Sequence, residues 1–328
     1  MALCRRFILF CFTLLGIFVL TVYLLLTRAI TLRHRGPNSM ETLLSETLTP
    51  QVDVDLQIEE RLEERKRRLK KFCESYKKKN EQLAKESYHH VIVSEKYKLL
   101  YCYIPKVACT QWKKIFLILH DKTQGIQYNE HEKYHEKWRF NYLSQYSEGA
   151  IQRRLRHYYK FLFVREPFER LLSGFEDKFV SNIWNWAETP HHTSEILNRY
   201  RKEHPNTTGD ITLTKFIHYV LSLRDEARNE HWRSYQGLCH PCAVDYDFIG
   251  HFENLRQEAP YLLKKTGLDN IIAFPPIKSL NTSRKVLERY SEVPKHMILQ
   301  LGDAFKNDLQ MFNYPFPGPL AALNITSG

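Results

Sequence analysis

At 328 residues the chain is long enough for one large domain or two small ones. Its 43% hydrophobic and 13% aromatic content exclude a disordered protein. A formal charge of +11 calls for an anionic partner, and the lack of any zinc-finger, RNA-recognition or helix-turn-helix signature argues against nucleic acid.

In chain order, residues 1–6 read as a short cytosolic tail. Phe7 to Leu26 is an uncharged apolar run between Arg5-Arg6 and Arg28. About 20 apolar residues span a bilayer, and no small-x-small cleavage site follows, so the run reads as an uncleaved signal-anchor. The sequons at Asn206, Asn281 and Asn324 all lie C-terminal to it, which predicts a single-pass type II protein with a luminal body carrying N-glycans. Residues 27–87 form a stem. Ile58, Leu62, Leu69, Phe72, Tyr76 and Leu83 recur at helical spacing in it, amid dense Lys, Arg and Glu. Because Arg65 and Lys79 interrupt that seam, either a lone solvated helix or a short coiled coil, and with it a homodimer, is compatible.

From 88 to 320 strands and helices alternate, and 321–328 is a tail. Val91–Val93 and Leu99–Ile104 are strand-like, Trp112–His120 is helical, and 121–146 reads as a long loop. Ala150–Tyr159 is a basic helix before the continuous apolar run Lys160–Val164, the pattern of a buried parallel strand. A helix follows over Phe168–Val180. Further on come a helix at Ile211–Leu223, a strand at Asp245–Gly250, a helix at Leu255–Thr266 and a last helix at Pro294–Phe312. The luminal cysteines Cys73, Cys102, Cys109, Cys239 and Cys242 predict structural disulfides, with Cys109 the odd one out. Their pairing stays open, and Cys239-His240-Pro241-Cys242 lacks a second ligand pair for zinc.

Two strand-loop-helix units stand out. In the first, Pro105, Lys106, Val107, Ala108, Cys109, Thr110 and Gln111 join a strand to a helix. Loop amides and a helix N-terminus favour an anion there, Lys106 adds a charge and Thr110 a hydroxyl. The loop has neither the glycines nor the Gly-Lys-Ser/Thr ending of a nucleotide P-loop. In the second unit, Arg165 follows the buried strand, with Arg170 and Ser173 on the next helix; arginine and hydroxyl suit a phosphate. Two such units imply an α/β fold with a parallel sheet and ligands at the strand C-terminal ends. They suit a nucleotide with separate 5′ and 3′ phosphates.

The segments 101–114 (YCYIPKVACTQWKK) and 161–173 (FLFVREPFERLLS) resemble the 5′-phosphosulfate loop and the 3′-phosphate site of the Golgi carbohydrate sulfotransferases. The resemblance extends to Glu230-His231-Trp232, Leu238–Cys242 and Tyr246–Gly250, over about residues 88–314. It is greatest to the chondroitin and dermatan 4-O-sulfotransferases, with the N-acetylgalactosamine 4-O- and HNK-1 sulfotransferases as relatives. It implies a sulfotransferase fold with P-loop-like units, a Golgi membrane location, and metal-independent sulfonate transfer from 3′-phosphoadenosine 5′-phosphosulfate (PAPS). The acceptor it implies is the 4-hydroxyl of N-acetylgalactosamine in chondroitin or dermatan; another glycan, such as terminal N-acetylgalactosamine or HNK-1-type glucuronic acid, is the alternative. The donor-binding residues it implies are Pro105 to Gln111 and Arg165, Glu166, Pro167, Phe168, Glu169, Arg170, Leu171, Leu172 and Ser173. Gln111 stands where relatives often have Asn.

Lys106 is expected to stabilise charge on the departing phosphate, and His135 to act as base, with His131, Glu132 and His231 as rivals. Arg153, Arg154, Arg156 and Lys160 are candidates to line a groove for an acidic polymer. Two other classes fit the residues less well. A glycan-binding protein with a vestigial donor site would not need Lys106, Arg165 and Ser173, and a luminal kinase would need a glycine-rich loop.

Overall fold

The structure, a computed structural model, describes residues 37–76, 83–120, 132–181, 189–207, 209–275 and 282–325. The apolar run 7–26 lies outside them, as do His131 and Asn281. Among the described residues no helix is long and apolar enough to cross a membrane. The chain divides into two compact units, Met1–Gln57 and Ile58–Gly328, and the second holds the sheet and the site.

Helix α1 spans Pro37–Ser75. Strands β1 (Val91–Ser94) and β2 (Leu99–Cys102) follow, then α2 (Cys109–Leu119). After three short 3-10 turns come α3 (Glu148–His157), β3 (Tyr159–Val164) and α4 (Pro167–Phe175), which continues as a π-helical turn over Glu176–Ser181. Next are α5 (Thr189–Glu203), α6 (Leu213–Leu221), the short α7 (Tyr235–Cys239), β4 (Phe248–His251) and α8 (Leu255–Lys265). The last three are α9 (Thr282–Ser291), α10 (Lys295–Ala304) and α11 (Lys306–Met311). The single helix expected over 294–312 is thus two, divided at the buried Phe305.

The sheet has the order β1-β2-β3-β4. β2, β3 and β4 are parallel, with Cys102 level with Leu162 and Val164 with His251. The expected parallel sheet is mixed, because β1 pairs antiparallel with β2. The four residues between these strands suffice for a hairpin and are far too few for a parallel crossover. The parallel strands deliver the loops after Cys102, Val164 and His251 to one edge of the sheet.

Packing explains the elements. On one face, Trp112 of α2 lies 5.0 Å from the Phe161 ring and 5.4 Å from the Phe163 ring, and Tyr101 stacks on Phe161 at 4.8 Å. Phe163 crosses directly over Gly250, where any Cβ would collide with its ring. Phe168, Leu171, Leu172 and Phe175 of α4 enter a separate helical core with Phe216, Ile217, Trp232, Tyr290 and Leu301. Burying a side chain of that size contributes about 1.5–3 kcal/mol, so the apolar spacing of α4 determines which face looks inward.

The helix expected as a solvated stem or coiled coil belongs, from Ile58 on, to the compact unit. Ile58, Leu62, Leu69 and Cys73 are buried. Arg65, which breaks the apolar seam in the sequence, donates twice to the Glu258 carboxylate (2.8 and 2.9 Å) and once to the Ile249 carbonyl oxygen (2.9 Å). That forked pairing matches the fully buried carboxylate of Glu258, which also accepts from the His251 amide. The cysteines pair as Cys73–Cys242 and Cys102–Cys239, and Cys109 is a buried free thiol.

Candidate functional site

The first loop is shaped by two left-handed residues, Lys106 (φ 70°) and Ala108 (φ 55°). Left-handed backbone is uncommon outside glycine, and alternated with right-handed residues it is the kind of turn that can aim successive amides at an anion. Among the described residues the amides of Lys106, Val107 and Ala108 donate no backbone hydrogen bond, and the first-turn amides of α2 are orphaned by helix geometry. Val107 is fully buried and Cys109 nearly so, while Lys106, Ala108, Thr110 and Gln111 are half-buried at the open side. A loop of this kind can hold an anion. Lys106 extends its ammonium to 3.3 Å from Asp177, which also pairs with Lys178 at 3.2 Å. Burial pulls the Lys106 pKa down, and Asp177 opposes that shift.

In the second unit each residue of Arg165-Glu166-Pro167 has its own part. Pro167 opens α4, and a Glu166 carboxyl oxygen caps it by accepting from the Glu169 amide at 2.7 Å. Arg165 is 1% exposed, donates to Glu169 at 3.1 Å and lies over the Phe252 ring. Its Nε is buried without a partner, and a buried guanidinium donor left unpaired is costly. Tyr235 holds the backbone of Arg165 through hydrogen bonds to both its amide and its carbonyl.

The helix after Arg165 carries a polar stripe at four-residue spacing: Glu169, Ser173 and Asp177. Glu169 holds Arg165 and Asp177 holds Lys106, so one stripe orders the cations of both loops. Half-buried Ser173 lies between them. The remaining expected donor residues divide by role. Phe168, Leu171 and Leu172 enter the core, and Glu166 and Pro167 shape the helix start. Arg170 is 3% exposed and donates to three backbone carbonyls, of Pro105 (3.1 Å), Arg233 (2.7 Å) and Glu230 (3.0 Å). Its guanidinium is a strut between loops.

The structure brings His135 to the first loop. Its Nε2 lies 3.0 Å from the Thr110 hydroxyl and its Nδ1 3.4 Å from the Lys113 ammonium. An ammonium only donates, so Nδ1 accepts and Nε2 carries the proton. Both ring nitrogens are therefore engaged with the first turns of α2. His231 is arranged differently. The Asn229 side-chain oxygen accepts from the His231 backbone amide (3.1 Å) and lies 2.7 Å from Nδ1. Nδ1 therefore donates, and Nε2 bears the lone pair. Burial, then Lys178, Lys106, Arg170 and His135 around it, hold its pKa well below the ordinary value, so the ring is neutral. His131 and the side chain of Glu132 lie outside the described residues.

The basic stretch 153–160 does not reach this edge. Lys160 is the second residue of β3 and Arg165 follows its end, so they stand about 16 Å apart along the strand. Lys160 is buried against Asp247 at 2.7 Å, and Arg154 is paired with Glu95 at 2.7 Å. Arg153 and Arg156 are exposed at the opposite end of the sheet. Sequence reasoning missed Asp177, Lys178, Asn229 and Tyr235. Asp177 shares the helical stripe of Ser173, a legible signal; Tyr235 joins Arg165 only through the fold.

The chain matches the sulfotransferase family over residues 89–315. It is 36% identical to carbohydrate sulfotransferase 11 of Rattus norvegicus over 245 residues, covering 70% of this chain and 68% of that protein. Carbohydrate sulfotransferase 14 of Danio rerio is 34% identical over 235 residues, 70% of this chain and 63% of that one. Carbohydrate sulfotransferase 10 of Homo sapiens is 35% identical over 240 residues, 69% and 67% of the two chains. No solved structure matches this chain. With the family matched over residues 89–315 and these relatives over about 70% of its length, the chain belongs to the sulfotransferase family and is a sulfotransferase enzyme.

Proposed function

We propose that the enzyme transfers a sulfonate from PAPS to the 4-hydroxyl of N-acetylgalactosamine in chondroitin- or dermatan-type glycans. The observation that carries the donor half is the pairing of two cationic loops on one polar stripe, with Arg165 Nε unsatisfied. The loop Pro105–Gln111 would hold the 5′-phosphosulfate, and Arg165 with Ser173 the 3′-phosphate. The bound donor supplies an activated sulfonate, whose bond to the 5′-phosphate breaks as the bond to the acceptor oxygen forms. Lys106 and the loop amides then stabilise the charge that grows on the departing phosphate. Lys106 reaches that oxygen by exchanging Asp177 for it.

The proton of the acceptor hydroxyl goes to Nε2 of His231, with Asn229 fixing the tautomer. His135, expected as the base, instead orients Thr110. The names of the relatives support a carbohydrate acceptor. The 4-hydroxyl of N-acetylgalactosamine rests on the resemblance of the sequence to the 4-O-sulfotransferases. The apolar run 7–26 supports a type II anchor in the Golgi membrane, and Asn206 and Asn324, both exposed, are proposed N-glycan sites with Asn281.

The test is product analysis after incubation of the full chain with labelled PAPS. The acceptors are desulfated chondroitin, dermatan, terminal N-acetylgalactosamine and a terminal glucuronic acid glycan. Sulfate on carbon 4 of N-acetylgalactosamine is expected, and transfer confined to glucuronic acid overturns the acceptor reading. Lys106→Ala and Arg165→Ala are each expected to lower kcat/KM at least about 100-fold while the proteins stay folded. Full activity in both overturns the donor site.

A further inference from the structure

We infer that Trp138 is an acceptor-binding platform, on which a pyranose ring next to the reacting sugar stacks. The inference rests on the function proposed above and names a residue that recognises its acceptor. Trp138 is 73% exposed, the most exposed of the large apolar side chains among the described residues. It contributes nothing to the core, yet its segment is held at both ends. Tyr134 is buried under the Lys114 ammonium, 4.4 Å from its ring centre. His135 is bonded to Thr110, and Phe140 and Tyr142 are buried. Arg139, 9% exposed, donates to Glu136 at 2.6 Å and lays its guanidinium 4.2 Å from the centre of the Trp138 ring. An exposed indole on an anchored 3-10 turn is presented without the ordering cost of a free side chain.

Position supplies the second argument. Trp138 lies three residues from His135, at most about 10 Å of chain. His135 touches the loop proposed for the sulfonate end of the donor, so the acceptor approaches on this side. The other basic candidate, the helix before β3, is at the far end of the sheet. The apolar face of a sugar ring suits an indole, while half-buried Lys133 and exposed Lys137 on the same short segment suit the carboxylates of an acidic glycan. Burial lowers the Lys113 pKa and the nearby Lys137 charge adds to that shift, and His135 Nδ1 lies 3.4 Å from Lys113, so the turn stands beside α2.

The experiment compares wild type, Trp138→Ala and Trp138→Phe, using a desulfated chondroitin polymer and PAPS. In the alanine variant KM for the polymer is expected to rise about tenfold, the equivalent of about 1.4 kcal/mol. Its kcat and its KM for PAPS are expected to stay within about twofold of wild type. The phenylalanine variant keeps a ring and is expected to recover most of the affinity. Titration of wild type with chondroitin oligosaccharide should change tryptophan emission, and that change should vanish in Trp138→Phe. An unaltered KM in Trp138→Ala, or an emission change that persists in Trp138→Phe, overturns the platform. If wild type itself sulfates no acceptor, the proposed function fails instead, so the two failures are distinct.

Discussion

Arg170 on α4 donates from Nε to the Pro105 carbonyl oxygen at 3.1 Å, so the helix of the second anion loop props the turn of the first. Its other nitrogens support the carbonyls of Arg233 and Glu230, next to His231. One buried guanidinium therefore sets the spacing of three parts of the site. Arg170→Ala would remove the partner of three carbonyls, of which the buried one of Pro105 alone costs about 1–3 kcal/mol if left unsatisfied. Loss of the folded enzyme is expected, read as a drop in Tm. Arg170→Lys keeps the charge but not the fork, so KM for PAPS should rise at least about tenfold even where the protein folds. Wild-type kinetics in Arg170→Lys would refute the strut.

His231 is neutral because burial and its cationic neighbours hold its pKa far down. The acid limb of kcat/KM is therefore expected well below pH 6.5, the ordinary histidine value. His231→Gln should lower kcat about 100-fold or more and leave KM for PAPS within about threefold. His135→Gln should instead raise KM for PAPS, through disordered Thr110, with a smaller loss in kcat. The opposite pattern would return the base to His135.

Glu166 is buried at the start of α4, and burial pushes its carboxyl up to about 8. A carboxyl whose folded pKa is raised favours the folded state below the unfolded value near 4.5. That contribution is lost as pH rises from there toward 8. Tm should accordingly fall over this window for wild type. Glu166→Gln keeps an oxygen to cap the Glu169 amide and should flatten the slope. Identical slopes in the two proteins would show that Glu166 titrates normally.

The Cys73–Cys242 bridge closes a loop across a sequence separation of 169 residues and anchors α1 beside Arg65. Cys73→Ser is expected to cost about 2–5 kcal/mol of stability. Protease sensitivity should appear first within 58–75. Equal denaturation midpoints for variant and wild type would show that Arg65 and the buried Ile58, Leu62 and Leu69 suffice to hold the helix.

Local chemistry was legible along the chain wherever a single segment determines its own structure. The apolar run 160–164 announces a buried strand, the spacing of Phe168, Leu171, Leu172 and Phe175 announces which face of α4 is buried, and Pro167 after Glu166 announces a capped start. The loop of Lys106 and the arginine after β3 were visible for the same reason: each sits at a strand end and needs only its neighbours to form. Tertiary structure decided what depends on residues far apart. Arg65 looked like a flaw in a seam because its partner, Glu258, lies 193 positions away. Arg170 meets the carbonyls of Pro105, Glu230 and Arg233 only in the fold, so its role as a strut could not be read from the segment. The basic run 153–160 looked like a groove until strand length put it at the wrong end of the sheet. Sequence spacing pointed to His135, and the fold sets His231 beside the same cations as a second candidate. A histidine's proton resides where its partners place it, and those partners, Thr110 and Lys113 for one ring and Asn229 for the other, are placed by the fold.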